Sequence, residues 1–236
     1  MSAQPSFARV LADDLNTTEG SSAPAIDNLS LWRRFGSDRR YTPGEELFRQ
    51  GGAPHGVCCI GSGYVKLSAV DEDGRELIVG LRGAGVVLGV SAVILQESYR
   101  VSATAVTDCE SSYISAGLFV PLLKADARFS WLIQREQSRH SSQLLSHIMQ
   151  LGFRSARNRL GELLWQLISA TSVSEHVREA HLSLPLKQWE VAQLIAVTPE
   201  HLNRLVKQMQ QEGILRWTKD RITVFDFKRL REPSSL

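Results

Sequence analysis

The 236 residues are enough for two small domains, each with its own core. An apolar share of 43% with 22% charged residues excludes wholesale disorder, and no apolar run reaches the length of a membrane helix. The formal charge of +2 divides unevenly: Met1–Met149 holds 14 Lys+Arg against 16 Asp+Glu, whereas the remainder holds 13 against 9. A basic C-terminal third is what a phosphate-facing module needs, because Lys and Arg supply the counterion-release contribution to DNA binding.

In chain order, residues 1–28 are rich in Ser, Thr, Ala and Asp without sustained period and read as a mobile tail lacking a secretion-signal core. A short amphipathic segment follows at Leu29–Phe35. From Tyr41 to Ser115, runs of Val, Ile, Leu and Tyr alternate with glycines, and Asp73-Gly74 marks a hairpin between Val65–Val70 and Glu76–Leu81. Strands at this even spacing predict a small all-β sandwich or barrel. Cys58, Cys59 and Cys109 show neither disulfide-framework nor C-x-x-C spacing, which fits a reducing cytosol and a cytoplasmic protein.

Helical spacing takes over after Ala116. Phe119, Leu122 and Leu123 form a short amphipathic turn, and a long helix is expected from about Phe129 to Leu151. Ile133, Gln137, His140, Leu144, His147 and Leu151 alternate steps of four and three, the seam of a coiled-coil pair; a helix packed on its own domain accounts for the spacing equally well. Ser155 can cap a further helix to about Ala170. Leu184–Leu186 reads as a short strand and Lys187–Val197 as a helix. Thr198 then caps a second helix, with Pro199 at its first position, running to about Gln211, where Glu212-Gly213 stops it. Ile214–Trp217 and Ile222–Phe227 alternate like two strands around the turn Thr218–Arg221.

Helix, tight turn, helix and hairpin in that order make a winged helix-turn-helix. The apolar positions Val191, Ala192, Leu194, Ile195, Val197, Leu202, Leu205 and Val206 tie its helices together. They leave Pro199, Glu200, His201, Asn203, Arg204 and Lys207 on the other side. Arg can fork onto guanine, Glu can accept from cytosine N4 and Asn can pair with adenine. Thr198, Lys187 and Lys207, with Lys219 and Arg221 in the wing, suit phosphates. Glu200 and Arg204, four residues apart, could instead form only a surface ion pair, which stabilises a helix by about 0.2–0.5 kcal/mol.

These residues resemble the Crp/Fnr family of dimeric bacterial transcription regulators over about Leu31 to Glu232. The resemblance rests on Tyr-Thr-Pro-Gly-Glu-Glu-Leu-Phe-Arg-Gln-Gly at 41–51, Gly63-Tyr-Val-Lys-Leu, Asp71-Glu-Asp-Gly-Arg-Glu-Leu-Ile and Gly85-x-x-x-Gly89. Ser102-Ala-Thr-Ala, Gly161-Glu-Leu-Leu and Thr198-Pro-Glu-His-Leu-Asn-Arg-Leu complete it. It implies an α+β architecture: an antiparallel, jelly-roll-like β-roll sensor domain over 29–128, a dimerisation helix over 129–153 and a winged helix-turn-helix over 154–236. It further implies a homodimer joined through Ile133, Gln137, His140, Leu144, Leu145, Ile148 and Leu151. The DNA partner would be a palindromic operator, with half-sites about one helical turn apart. Glu200 and Arg204 match the pair that reads a G-then-A core in each half-site, and RNA polymerase is a further candidate partner. Pro199 stands where some cAMP-responsive members carry another base-reading Arg, and Ala196 fills a turn position that is often Gly.

In the sensor half, cAMP-binding members follow the second glycine of Gly85-x-x-x-Gly89 with a ribose-holding Glu and later place an Arg-Ser pair at the phosphate. Here Val90 follows Gly89, and Arg100-Val101 is the nearest match to the pair. Arg100 could meet an anion, although a surface or ion-paired Arg is the simpler reading. Leu144 and Leu145 fall where small hydroxyl residues meet adenine in those relatives. An effector pocket around Gly89, Arg100 and Leu144 is therefore expected not to answer cAMP, since leucines would leave the base unpaired. Three scattered cysteines cannot supply the four usual thiolates of an iron–sulfur cluster. Haem is the remaining family option, with His55, His140 and His147 as candidates, each reading more simply as a surface or interface histidine. A cupin-like enzyme would want His-x-His on inward strands, a spacing the six histidines lack, and no nucleophile–base pair is evident. A third reading is an interaction protein whose winged helix binds protein.

Overall fold

The computed structural model describes residues 32–169, 179–182, 186–219 and 221–231. The N-terminal tail, most of the loop before the wing and the last five residues lie outside these, as does the expectation for residues 1–28. A helical turn at 32–35 leads into β1 (Ser37–Tyr41), β2 (Glu46–Phe48), β3 (Gly56–Ser62), β4 (Val65–Val70), β5 (Glu76–Arg82), β6 (Val87–Leu88), β7 (Ser102–Ala105) and β8 (Cys109–Ser115). They form two four-stranded antiparallel sheets, β1-β8-β3-β6 and β2-β7-β4-β5, the jelly-roll-like sandwich expected of the β-roll. Asp73-Gly74 makes the turn between β4 and β5: Asp71 Oδ1 accepts from the backbone of Asp73 and Arg75, and Gly74 takes φ 79°. β3 is buried from Gly56 to Ile60 because both its faces are covered. Ile60 packs in the sandwich with Val65, Leu67 and Ala103, while Val57 and Cys59 face a helical layer.

That layer comprises α1 (Val90–Leu95), α2 (Ala116–Ala125) and the start of α3 (Ala127–Phe153). Asp126 caps α3 by accepting from Arg128 and Phe129 N–H at 2.9 and 3.0 Å. Trp32, Phe119 and Phe129 stack together beneath the first two turns. Ile133 lies in this same core at 3% exposure, so it packs on its own domain and does not begin an intersubunit seam. Beyond Glu136 the helix leaves this core. Leu144, Leu145, Ile148, Met149, Leu151 and Phe153 are all exposed, with Ile148 at 64% and Phe153 at 82%.

The C-terminal domain contains α4 (Ala156–Ser169), β9 (Ala180–Leu182), α5 (Gln188–Leu194), α6 (Pro199–Gln211), β10 (Leu215–Trp217), β11 (Ile222–Val224) and α7 (Phe227–Arg231). A strand is formed at Ala180–Leu182, where Ala180 and Leu182 bury their side chains and His181 points outward opposite Thr223, whereas the strand expected at Leu184–Leu186 falls mostly outside the described residues. Residues 183–185 are outside the described set, and Leu186 is buried in the domain core. The last strand ends at Val224 rather than Phe227. Asp226 Oδ1 accepts the Arg229 N–H at 2.9 Å and starts a short helix there, which lays Leu230 against Gly161 of α4. A Cβ at 161 would collide with the Leu230 carbonyl, which accounts for the glycine.

Candidate nucleic-acid interface

Recognition helix α6 is amphipathic in the strict sense. Leu202, Val206 and Met209 are buried against Val191, Ala192 and Ile195 of α5, with Leu160 and Leu164 of α4 behind them. Met209, absent from the apolar set expected from sequence, extends that face by one turn. Pro199, Glu200, Asn203, Arg204 and Lys207 remain exposed on the opposite side, while His201 is half-buried at its edge. The Thr198 hydroxyl accepts the His201 N–H at 3.2 Å, and Pro199 occupies the first helical position.

Glu200 is held below the usual carboxylate range first by a backbone N–H at the helix start, then by the Thr198 hydroxyl. The charge of Arg204 is the smallest lowering influence. Among the described residues the two side chains form no ion pair, so the Arg204 guanidinium is left available to a base edge. The wing turn runs through Thr218, whose N–H donates to the Arg221 carbonyl at 2.8 Å, and presents Lys219 and Arg221 to solvent. Gln210 accepts the Trp217 N–H at 2.8 Å, tying the wing to the recognition helix. Lys187 is exposed at the start of α5.

Two sets of residues that sequence reasoning missed support this surface. Arg159 of α4 donates Nε–H to the Ile195 carbonyl at 2.8 Å and reaches the Ala196 carbonyl at 3.4 Å, bracing the turn between α5 and α6. Ala196 there takes φ 52°, the left-handed conformation that favours glycine. Arg157 pairs in two-pronged fashion with Glu212 at the far end of α6, with Arg229 alongside. The second set joins the domains. Lys66 of β4 bonds Glu190 of α5 at 2.8 Å, and Gln193 lies along the edge of β5, accepting from Ile78 N–H at 2.9 Å and donating to Glu76 O at 3.2 Å. Neither set has a local sequence signature, because every partner is remote in the chain.

An effector pocket was expected around Gly89, Arg100 and Leu144. Arg100 is 83% exposed and ion-paired to Glu97 at 2.9 Å. Gly89, at φ 88°, sits against the backbone of β3, where a Cβ would lie 2.8 Å from the Gly56 carbonyl. Leu144 is exposed on α3. Cys58 and Cys59 are buried thiols pushed up to about 12 by desolvation. Among the described residues no group of three or more His, Cys, Asp or Glu side chains is placed to hold a metal, and no helix is long and apolar enough to cross a membrane.

Recognition helix, braced turn and wing, set behind a β-roll and a long helix, define a winged-helix DNA-binding transcription regulator. The family model for a cyclic nucleotide-binding domain matches residues 38–126, and that for a Crp-like helix-turn-helix domain matches 158–233. The CRP-like protein Clp of Xanthomonas campestris pv. campestris is 27% identical over 183 residues, covering 75% of this chain and 79% of that protein. Among solved structures, FixK2 of Bradyrhizobium japonicum superposes with a TM-score of 0.72 at 18% identity, covering 85% of this chain and 98% of its own. The c-di-GMP responsive global regulator CLP of Xanthomonas campestris gives 0.71 at 22%, covering 85% and 99%. The chain belongs to the Crp/Fnr family of transcription regulators.

Proposed function

We propose that this regulator acts in the cytoplasm as a homodimer on a palindromic operator, reading bases through Glu200, Asn203 and Arg204. Thr198, Lys187, Lys207, Lys219 and Arg221 meet phosphates. The observation that carries this reading is the division of α6: an apolar face buried in its own domain and a polar face whose Arg204 has no carboxylate partner among the described residues. Dimerisation is supported by the apolar run from Leu144 to Phe153, which is exposed in the single chain and needs cover from water. The helix pair then sets two recognition helices about one DNA turn apart. RNA polymerase is the further partner through which such a dimer would change transcription.

The reading needs no cofactor and no cAMP. Arg100 is occupied by Glu97, and Leu144 and Leu145 offer a nucleobase no hydrogen bond. Haem finds little support, since His55 and His147 are exposed and His140 lies against Arg82. A second reading is regulation by another small ligand in the β-roll; among the described residues the buried Nε of Arg82 there has no hydrogen-bond partner.

Selection of bound sequences from random DNA by the purified full-length protein tests the proposal. A palindrome is expected, bound by a dimer in sedimentation analysis. Arg204→Ala should weaken the selected site by about 1–3 kcal/mol and relax one base position, whereas Lys207→Ala should reduce the salt slope by about one. Recovery of no sequence, or of a single asymmetric half-site bound by a monomer, overturns it.

A further inference from the structure

Three kinds of contact hold the DNA-binding domain against the sensor. Tyr64, Leu81 and Val106 of the sensor pack on the apolar core of the DNA-binding domain. Lys66 of β4 pairs with Glu190 at 2.8 Å and lies 5.7 Å from the centre of the Trp189 ring. Gln193 of α5 makes the third contact: its Oε1 accepts the Ile78 N–H at 2.9 Å and its Nε2 donates to the Glu76 carbonyl at 3.2 Å. The covalent link is short, with only Arg154 and Ser155 between α3 and α4. Soft backbone torsions in two residues do not by themselves fix an orientation.

The three contacts differ in what they fix. Apolar contacts are non-directional and tolerate sliding. An ammonium is a point charge that can swivel about its carboxylate partner. The Gln193 amide tolerates neither movement. β5 is an edge strand of its sheet, and Gln193 meets it as the peptide of a neighbouring strand would, with one acceptor and one donor matched to groups two residues apart. A slide of one residue, about 3.4 Å along the strand, faces the amide with groups that point the other way and breaks both bonds. The grip passes to the recognition helix within three residues. The Gln193 carbonyl accepts the Ala196 N–H at 3.0 Å, closing the turn that leads into α6.

We propose that Gln193 is a specificity-determining residue for operator spacing. By indexing α5 on the edge of β5 it fixes where each recognition helix stands relative to its own sensor domain, and hence how far apart the two half-sites must lie. This rests on reading the chain as a dimer on a palindromic operator. The length scales match. One base pair added between half-sites moves them about 3.4 Å along the duplex and roughly 34° around it. One residue along β5 is about the same distance. With Gln193 in register the dimer offers one spacing. Without it, the apolar and ionic contacts let the domain shift, and neighbouring spacings become accessible. Gln193 acts through the placement of α6, so it is a positioning residue.

The test first selects the preferred operator from random DNA with the full-length wild type. Dissociation constants are then measured for that operator and for versions with the spacer one base pair longer and one shorter. The wild type should discriminate against both altered spacers. Gln193→Leu should keep the same half-site sequence while its discrimination falls by roughly tenfold, the scale of one or two neutral hydrogen bonds lost. Gln193→Glu keeps an acceptor for the Ile78 N–H but sets a carboxylate against the Glu76 carbonyl. It should move in the same direction, and it decides the matter should the leucine variant fail to fold. A merely structural role would weaken all three operators by the same factor, and a ratio unchanged from wild type overturns the proposal. So does a wild type that binds all three spacings alike. A wild type that selects no palindrome removes the regulator reading and this one together, whereas a palindrome with unaltered discrimination in the variants removes only the role of Gln193.

Discussion

The Nε–H of Arg159 is bonded to the Ile195 carbonyl at 2.8 Å, joining α4 to the last turn of α5 where the chain reverses into the recognition helix. The angle between α5 and α6 depends on that reversal, which passes through Ala196 in a left-handed conformation. Arg159→Ala should therefore cost about 1.5–3 kcal/mol, the range for hydrogen bonds made by a charged donor. It should also weaken DNA binding at temperatures where the protein remains folded. Ala196→Gly, which removes a left-handed penalty of about 1–2 kcal/mol, should recover part of the DNA affinity in the double variant. Urea midpoints with DNA-binding isotherms check this; an Arg159→Ala protein with wild-type affinity for its selected site would refute it.

Lys66 and Glu190 tie the sensor to the DNA-binding domain through side chains that are only 14% and 9% exposed. The other oxygen of Glu190 accepts the Lys187 N–H at 2.8 Å, so the same carboxylate caps α5. Lys66→Ala strands that charge and should destabilise the protein by about 3 kcal/mol. Calorimetry should show the single unfolding transition separating into two as the domains uncouple. Adding Glu190→Gln should be less than additive, because the charge has then already gone. Strict additivity would mean that the pair does not couple the domains.

Glu212 closes the far end of the recognition helix, and Arg157 first, with help from Arg229, holds its pKa below the usual value. A depressed carboxylate contributes stability that is complete above its unfolded pKa, near 4.5, and is lost as pH falls through the lower folded value. Glu212→Gln should accordingly be less stable than wild type at pH 7, with the difference closing as the pH falls below 4.5 and through the lowered folded value. Urea midpoints across that range provide the measurement, and a gap that stays constant would show that the Arg157 pairing is not its source.

Much of this protein was legible from neighbours in sequence. Asp73-Gly74 makes its hairpin through bonds within five residues, and Thr198-Pro199 starts α6 through a cap three residues long. The polar face of α6 followed from the apolar spacing of Leu202, Leu205 and Val206, since a helix must bury one side. One boundary shifted because local capping outweighed apolar alternation: Asp226 began a helix where the last strand was expected to continue.

The remainder depended on contacts between distant residues. Ile133 and Leu144 lie on one heptad-like seam, yet Ile133 is buried in the core with Trp32 and Phe119 while Leu144 is exposed in the single chain. Arg100 was the arginine with a family precedent, but Glu97 three residues away pairs with it at the surface. Arg159 reaches Ile195 across 36 positions and Lys66 reaches Glu190 across 124, and no periodicity encodes either. The sequence by itself determined the elements, their caps and the chemistry of the DNA-reading face, because those rest on backbone geometry and apolar spacing within a few residues. Which charges are paired, which apolar stripe is already covered and how the two domains are joined were decided only by the tertiary structure. Burial and charge pairing are properties of a side chain's surroundings in space.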